Sequence, residues 1–158
     1  MNINLICVGK IKEKYFSEAI SEYSKRLSRF VKLNIIEVTD EKIPDNASEK
    51  EIEAVKQKEG EKILAKLPSY SFTVTLCVEG KELSSLDLAK KIADVSMTFS
   101  NITFIIGGSL GLCDTVKARS QLRLSFGPMT LPHQLMRVVL LEQVYRAFKI
   151  NNNETYHK

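Results

Sequence analysis

The chain has 158 residues, 44% of them hydrophobic and 27% charged, which suits one globular domain with a real core better than two cramped ones. No stretch approaches the ~18 consecutive apolar residues of a membrane span, and the start, Met1-Asn2-Ile3-Asn4-Leu5-Ile6-Cys7-Val8, lacks a basic leader, so a cytoplasmic protein with no membrane partner is expected. Net charge is +4, yet residues 1–32 and 112–158 each carry +4 while 33–66 carry −3 and 67–111 carry −1; a fold that joins the two ends would offer a basic patch to a phosphate backbone.

Short β-branched runs alternate with longer segments of helical period. The first strand is expected at Ile3 to Val8. Tyr15, Ala19, Ile20, Tyr23 and Leu27 then form a helical stripe. A second strand is expected at Leu33 to Val38, followed by a polar surface loop from Thr39 to Asn46. The next helix, Ser48 to Lys66, opens with Ser48-Glu49-Lys50-Glu51, a capping box in which hydroxyl and carboxylate satisfy free N–H groups, and it ends before Pro68. Strands at Phe72 to Val78 and Asn101 to Ile106 flank a helix from Ser84 to Thr98. A short helix begins near Asp114, and a weaker strand covers Gln121 to Ser125. The last helix, His133 to Ile150, sets a wide apolar face against a polar face carrying Arg137, Arg146 and Lys149.

This rhythm predicts a single α/β domain over residues 1–158, a mostly parallel sheet with helices on both faces. Such sheets bind ligands beyond the carboxyl ends of their strands, so the loops after Val8, Val78, Ile106 and Ser125 are the places to look for chemistry. Cys7, Cys77 and Cys113 are odd in number and contain no Cys-x-x-Cys pair; neither a disulfide framework nor a metal is expected, and all three read as small buried side chains.

Gly107-Gly108-Ser109-Leu110-Gly111 follows an apolar strand and lets the backbone turn tightly or approach a ligand. Its glycine spacing is not that of a dinucleotide fingerprint. It matches the Gly-x-Ser-x-Gly elbow of serine hydrolases, but no acid and histidine follow on strand-end loops to serve Ser109. Gly9-Lys10 lacks the upstream glycine and the hydroxyl of a phosphate loop, and Lys10, Lys12 and Lys14 read either as a solvated face or as an RNA contact. Phe126-Gly127-Pro128-Met129-Thr130-Leu131-Pro132 has little freedom to lose, so its backbone can act as a preformed rim for a planar heterocycle such as adenine.

That loop and the helix after it, together with Ile106-Gly107-Gly108, Val8-Gly9-Lys10, Glu22-Tyr23, Lys58-Glu59-Gly60 and the terminal Tyr156-His157-Lys158, resemble the ribosomal RNA large subunit methyltransferase H family of the SPOUT superfamily. The likeness spans the whole chain. It implies a C-terminal trefoil knot, a homodimer, S-adenosylmethionine as cofactor, and methylation of N3 of a pseudouridine in 23S ribosomal RNA within the ribosome. It also carries cofactor binding onto Leu76, Gly107, Phe126, Gly127, Pro128, Met129, Thr130 and Leu131. Methyl transfer from a sulfonium asks mainly for alignment and for stabilisation of charge developing on the base. Arg137 and His157 are the candidates for the second task, with Tyr156 stacking or hydrogen bonding, and a tail that reaches into the partner subunit is expected. His133 is expected to cap the last helix after Pro132. The residues alone leave open a noncatalytic ribosome-binding module that uses the same basic ends.

Overall fold

The computed structural model describes residues 1–158. In chain order it contains β1 (Asn2–Val8), α1 (Lys14–Leu27), β2 (Lys32–Val38), α2 (Glu49–Lys66), β3 (Phe72–Glu82), α3 (Ser85–Ser96), β4 (Asn101–Ile106), α4 (Asp114–Ala118), β5 (Leu122–Ser125) and α5 (His133–Asn151). Every element expected from the sequence is present. The strands form one sheet in the order β2-β1-β4-β3-β5 with all neighbours parallel.

Side chains alternate across this sheet because successive residues of a strand face opposite ways. Ile3, Leu5 and Cys7 of β1 and Ile102, Phe104 and Ile106 of β4 pack under α1, α3 and α5. Ile6, Val8 and Ile105 face the other way, toward α2 and α4. With both faces covered, β1 and β4 read as nearly unbroken apolar runs. Each fully buried Ile, Leu or Phe there contributes about 1.5–3 kcal/mol by leaving water.

The amino-terminal half of the α2 face is polar and internally satisfied. Asn34 donates to Asn4 at 2.9 Å, Asn4 donates to the Thr103 hydroxyl at 3.3 Å, and that hydroxyl shares a proton with Ser71 at 2.7 Å. This ladder joins β2, β1 and β4 to the residue before β3, and pairing each buried polar atom removes the cost of burying it.

The helix termini follow their residues. Ser48 and Ser84 both form complete capping boxes, with Glu51 and Asp87 as the reciprocating acids, so the first is as expected and the second adds one at α3. His133 does not cap α5. The cap position is Pro132, with no side-chain bond, and His133 is the first helical residue.

The polar face expected on α5 is also absent as a solvent face. No residue from His133 to Ile150 is exposed, and Arg137 is only 1% exposed. Arg137 is buried because the first turns of α5 lie across the carboxyl end of β1, where its guanidinium finds acceptors that periodicity cannot reveal.

β3 runs four residues further than expected and is irregular. Leu124 of β5 pairs with both Leu76 and Lys81, so residues 77–80 bulge out of the ladder. Gly80 permits this, since a Cβ there would lie 2.7 Å from the Arg123 carbonyl oxygen. Bulges of this kind redirect side chains at the rim of a site.

Candidate active site

The carboxyl ends of β4, β3 and β5, three adjacent strands, surround a cavity of about 590 Å³. Three segments make its walls: the bulge of β3, the glycine turn after β4, and the loop from Phe126 to the start of α5. Its size lies in the ordinary range for small-molecule clefts.

The glycine turn has a definite geometry. Gly111 has φ +84° and donates from its N–H to the Gly108 carbonyl at 3.0 Å. A Cβ on Gly107 would lie 2.8 Å from the Gly111 carbonyl carbon, so the turn closes only because residue 107 has no side chain. Ser109 is exposed at its tip and α4 starts only at Asp114, so the sharp strand-to-helix elbow that a hydrolase serine needs is absent.

The Phe126 loop is tied to the β3 bulge by Ser125, which the sequence marked as a strand end but not as a link. Ser125 is 5% exposed; its hydroxyl donates to the Val78 carbonyl at 2.8 Å and accepts from the Gly127 N–H at 3.1 Å. One buried serine thereby couples two walls of the cavity. Gly127, at φ +112°, turns the chain there in a conformation that favours glycine.

The expected cofactor residues converge. Leu76, Gly107 and five of the six residues from Phe126 to Leu131 line the cavity, Pro128 being the exception. Lys56, Lys117 and Cys77 line it as well, and so does His133. Cys77 is therefore half-buried on a cavity wall instead of sitting in the core, whereas Cys7 and Cys113 are buried as expected. Burial pushes the Cys7 thiol up to about 12, which leaves it a neutral packing group. His133 is half-buried, and that burial, with the Arg137 charge next in importance, holds its imidazole below the usual 6.5 and so neutral at pH 7.

The three residues expected to act on the base are placed elsewhere. Arg137 donates to the carbonyls of Val8 at 3.2 Å and Gly9 at 2.7 Å and to the Glu37 carboxylate at 2.7 Å. Buried and committed in this way it cannot touch a substrate base, and its part is to fasten β1 and β2 to α5. Tyr156 and His157 do not line the cavity of their own chain. The tail folds back along α5: Tyr156 donates to Glu142 at 3.1 Å, its ring meets Tyr145 edge-on at 5.0 Å, and the Arg146 guanidinium lies 4.6 Å from its centroid. His157 Nδ1 is 3.3 Å from the same guanidinium. Asn153, at φ +54°, makes the reversal, and Glu154 pairs with Lys149 and Arg29.

A family model described as "Predicted SPOUT methyltransferase" matches residues 1–157. The chain belongs to the SPOUT methyltransferase family. Within the family it is 58% identical to the ribosomal RNA large subunit methyltransferase H of Clostridium novyi (strain NT), 55% identical to that of Clostridioides difficile (strain 630) and 57% identical to that of Clostridium tetani (strain Massachusetts / E88), each across the full length of both chains. Among solved structures it resembles a methylase family protein from Haemophilus influenzae Rd KW20, with a TM-score of 0.53 at 14% identity, covering 99% of this chain and 70% of that one. That likeness speaks to the fold alone.

Proposed function

We propose that this SPOUT protein transfers a methyl group from S-adenosylmethionine to N3 of a pseudouridine in 23S ribosomal RNA, acting in the cytoplasm on the assembled ribosome as a homodimer. The observation that carries the reading is the convergence of Leu76, Gly107 and the Phe126 loop on one cavity at the carboxyl edge of the sheet. Full-length relatives named as ribosomal RNA large subunit methyltransferases support the choice of substrate.

The cavity fits such a cofactor. A wall of glycine backbone at Gly107, Gly108, Gly111 and Gly127 leaves main-chain N–H and carbonyl groups to hold adenosine. Leu76 and Leu131 supply apolar surface, and Lys56 and Lys117, paired in this chain with Glu53 and Glu79, bring positive charge to the lining. When bound, the cofactor supplies an electrophilic methyl group on a positive sulfur. The protein's share is to exclude water, hold the target nitrogen in line and balance the charge that develops on a ring flanked by two carbonyls.

Tyr156 and His157 would come to the base from the second subunit, since in their own chain they lie along α5, and Arg137 is too deeply committed to serve. The loop between β5 and α5 is where we would place the threading of a trefoil knot.

Two measurements test the function. Calorimetry with S-adenosylmethionine should give one saturable site, whereas a noncatalytic ribosome-binding module would give no heat. Mass spectrometry of 23S ribosomal RNA from cells lacking the protein should show one methyl group missing from a pseudouridine; an unchanged modification pattern would refute the proposal.

A further inference from the structure

The β1–α1 loop carries charge that the cavity does not use. Gly9, at φ +85°, turns the chain out of the sheet, and the loop is then held at three points. The Gly9 N–H donates to the Val38 carbonyl at 2.8 Å, the Gly9 carbonyl accepts from Arg137, and the Ile11 N–H donates to Glu37 at 3.3 Å. Lys10 and Lys12 are exposed while Ile11 and Glu13 between and after them are half-buried. Both lysines therefore face solvent, and residues two apart are separated by about 6.6 Å wherever a chain is extended. That spacing is close to one phosphate step of a polynucleotide strand.

Neither lysine is ion-paired, and Lys14 meets only Glu18 across 3.7 Å with both side chains largely in solvent, a contact worth little. Tyr15, the next residue, is 64% exposed with its ring propped edge-on against Phe16 at 4.5 Å. An exposed, braced aromatic ring within a few residues of unpaired cations is the combination that grips single-stranded nucleic acid.

The loop also adjoins the cavity. Val8 lies 3.2 Å from the Cβ position of Gly108, and Arg137, which holds Gly9, follows directly on the cavity residue Met136. The buried side-chain atoms without a protein hydrogen-bond partner are Glu13 Oε2, Gln134 Oε1 and Arg137 Nε, all on the two segments that meet at this seam.

We propose that Lys10, Lys12 and Tyr15 form the entry platform for the substrate RNA, the lysines on successive phosphates and the tyrosine under an unstacked base, leading the strand to the cavity mouth. This rests on the ribosomal RNA reading above and adds the surface that delivers the strand.

The test compares K10A/K12A, Y15A and a charge-matched control, K90A/K91A, altering exposed lysines on α3. Binding to purified ribosomes and to deproteinised 23S RNA is measured across a salt series, with calorimetry of S-adenosylmethionine alongside. K10A/K12A should flatten the slope of log affinity against log salt by about 1.4, two contacts at about 0.7 each. Y15A should weaken binding about tenfold at an unchanged slope. The control should match the wild type, and cofactor affinity should be equal in all four proteins.

An unchanged slope in K10A/K12A, or an equal loss in the control, overturns the platform. Weaker ribosome binding at the wild-type slope would assign the lysines to a protein contact and overturns it too. A wild type that binds ribosomes with the expected slopes but methylates nothing would sink the functional reading and leave the platform standing; one that binds neither ribosomes nor RNA removes both.

Discussion

Arg137 donates a 2.7 Å hydrogen bond to the carbonyl of Gly9, a residue 128 positions earlier in the chain. The same side chain reaches the Val8 carbonyl and Glu37, so one guanidinium joins the ends of β1 and β2 to the helix that carries His133 and Met136 of the cavity wall. Its rigid planar fork spreads donors toward three separated acceptors, whereas the three N–H donors of a lysine ammonium radiate from a single point.

Arg137→Ala should therefore cost about 3 kcal/mol of stability, because it strands two carbonyls and opens a void. Arg137→Lys should recover only part of that. Urea unfolding midpoints measure both; a wild-type midpoint in the alanine variant would show that the buried clamp contributes nothing.

Gly107→Ala and Gly127→Ala should weaken the cofactor site for different reasons. At Gly107 the added methyl meets the Gly111 backbone at 2.8 Å, so the turn must open. At Gly127 space is free but φ is +112°, and the strain costs about 1 kcal/mol. Calorimetry with S-adenosylmethionine should show near-complete loss of binding for the first variant and a reduction of about tenfold or less for the second. The reverse order would mean that the Phe126 loop, and not the glycine turn, sets the fit.

Glu59, 5% exposed on α2, accepts from the Glu41 N–H at 3.0 Å. Burial nonetheless holds its carboxyl above the ordinary 4.5, with Asp40 and Glu41 adding to the rise and the Glu41 N–H and Lys62 opposing it. The folded state then binds the proton more tightly than the unfolded chain. Glu59 thus subtracts stability as pH rises from the unfolded value through the folded one, and the loss is complete above that. Glu59→Gln should leave the thermal midpoint unchanged at pH 4 and raise it toward pH 7. A midpoint lowered at pH 7 would mean that the charged carboxylate is stabilising.

Removing Tyr156, His157 and Lys158 should abolish methyl transfer while leaving S-adenosylmethionine affinity intact, because none of the three lines the cavity of its own chain. Methylation assays on ribosomes, paired with calorimetry, separate the two effects. Full activity in the truncated protein would refute a catalytic role for the tail.

Much of the cavity was readable because its parts are local. Gly107 and the Phe126 loop follow strands, and Leu76 lies within one, that betray themselves by apolar runs, and a parallel sheet places such ends on one edge. The β3 bulge was not readable, since it depends on Leu124 pairing twice and on Gly80 passing close to Arg123. The linking role of Ser125 left no signal either, because a serine at a strand end is common and its two partners come from different segments.

Interactions within a few residues set the order of elements, the Ser48 cap and the carboxyl ends of four of the five strands, β3 being the exception. That Arg137 is a buried clamp, that His133 lines the cavity and that Tyr156 lies on Tyr145 follows from long-range packing. Helical period assigns a residue to a face of its own helix, but whether that face meets water or a ring of carbonyls depends on what distant chain packs there.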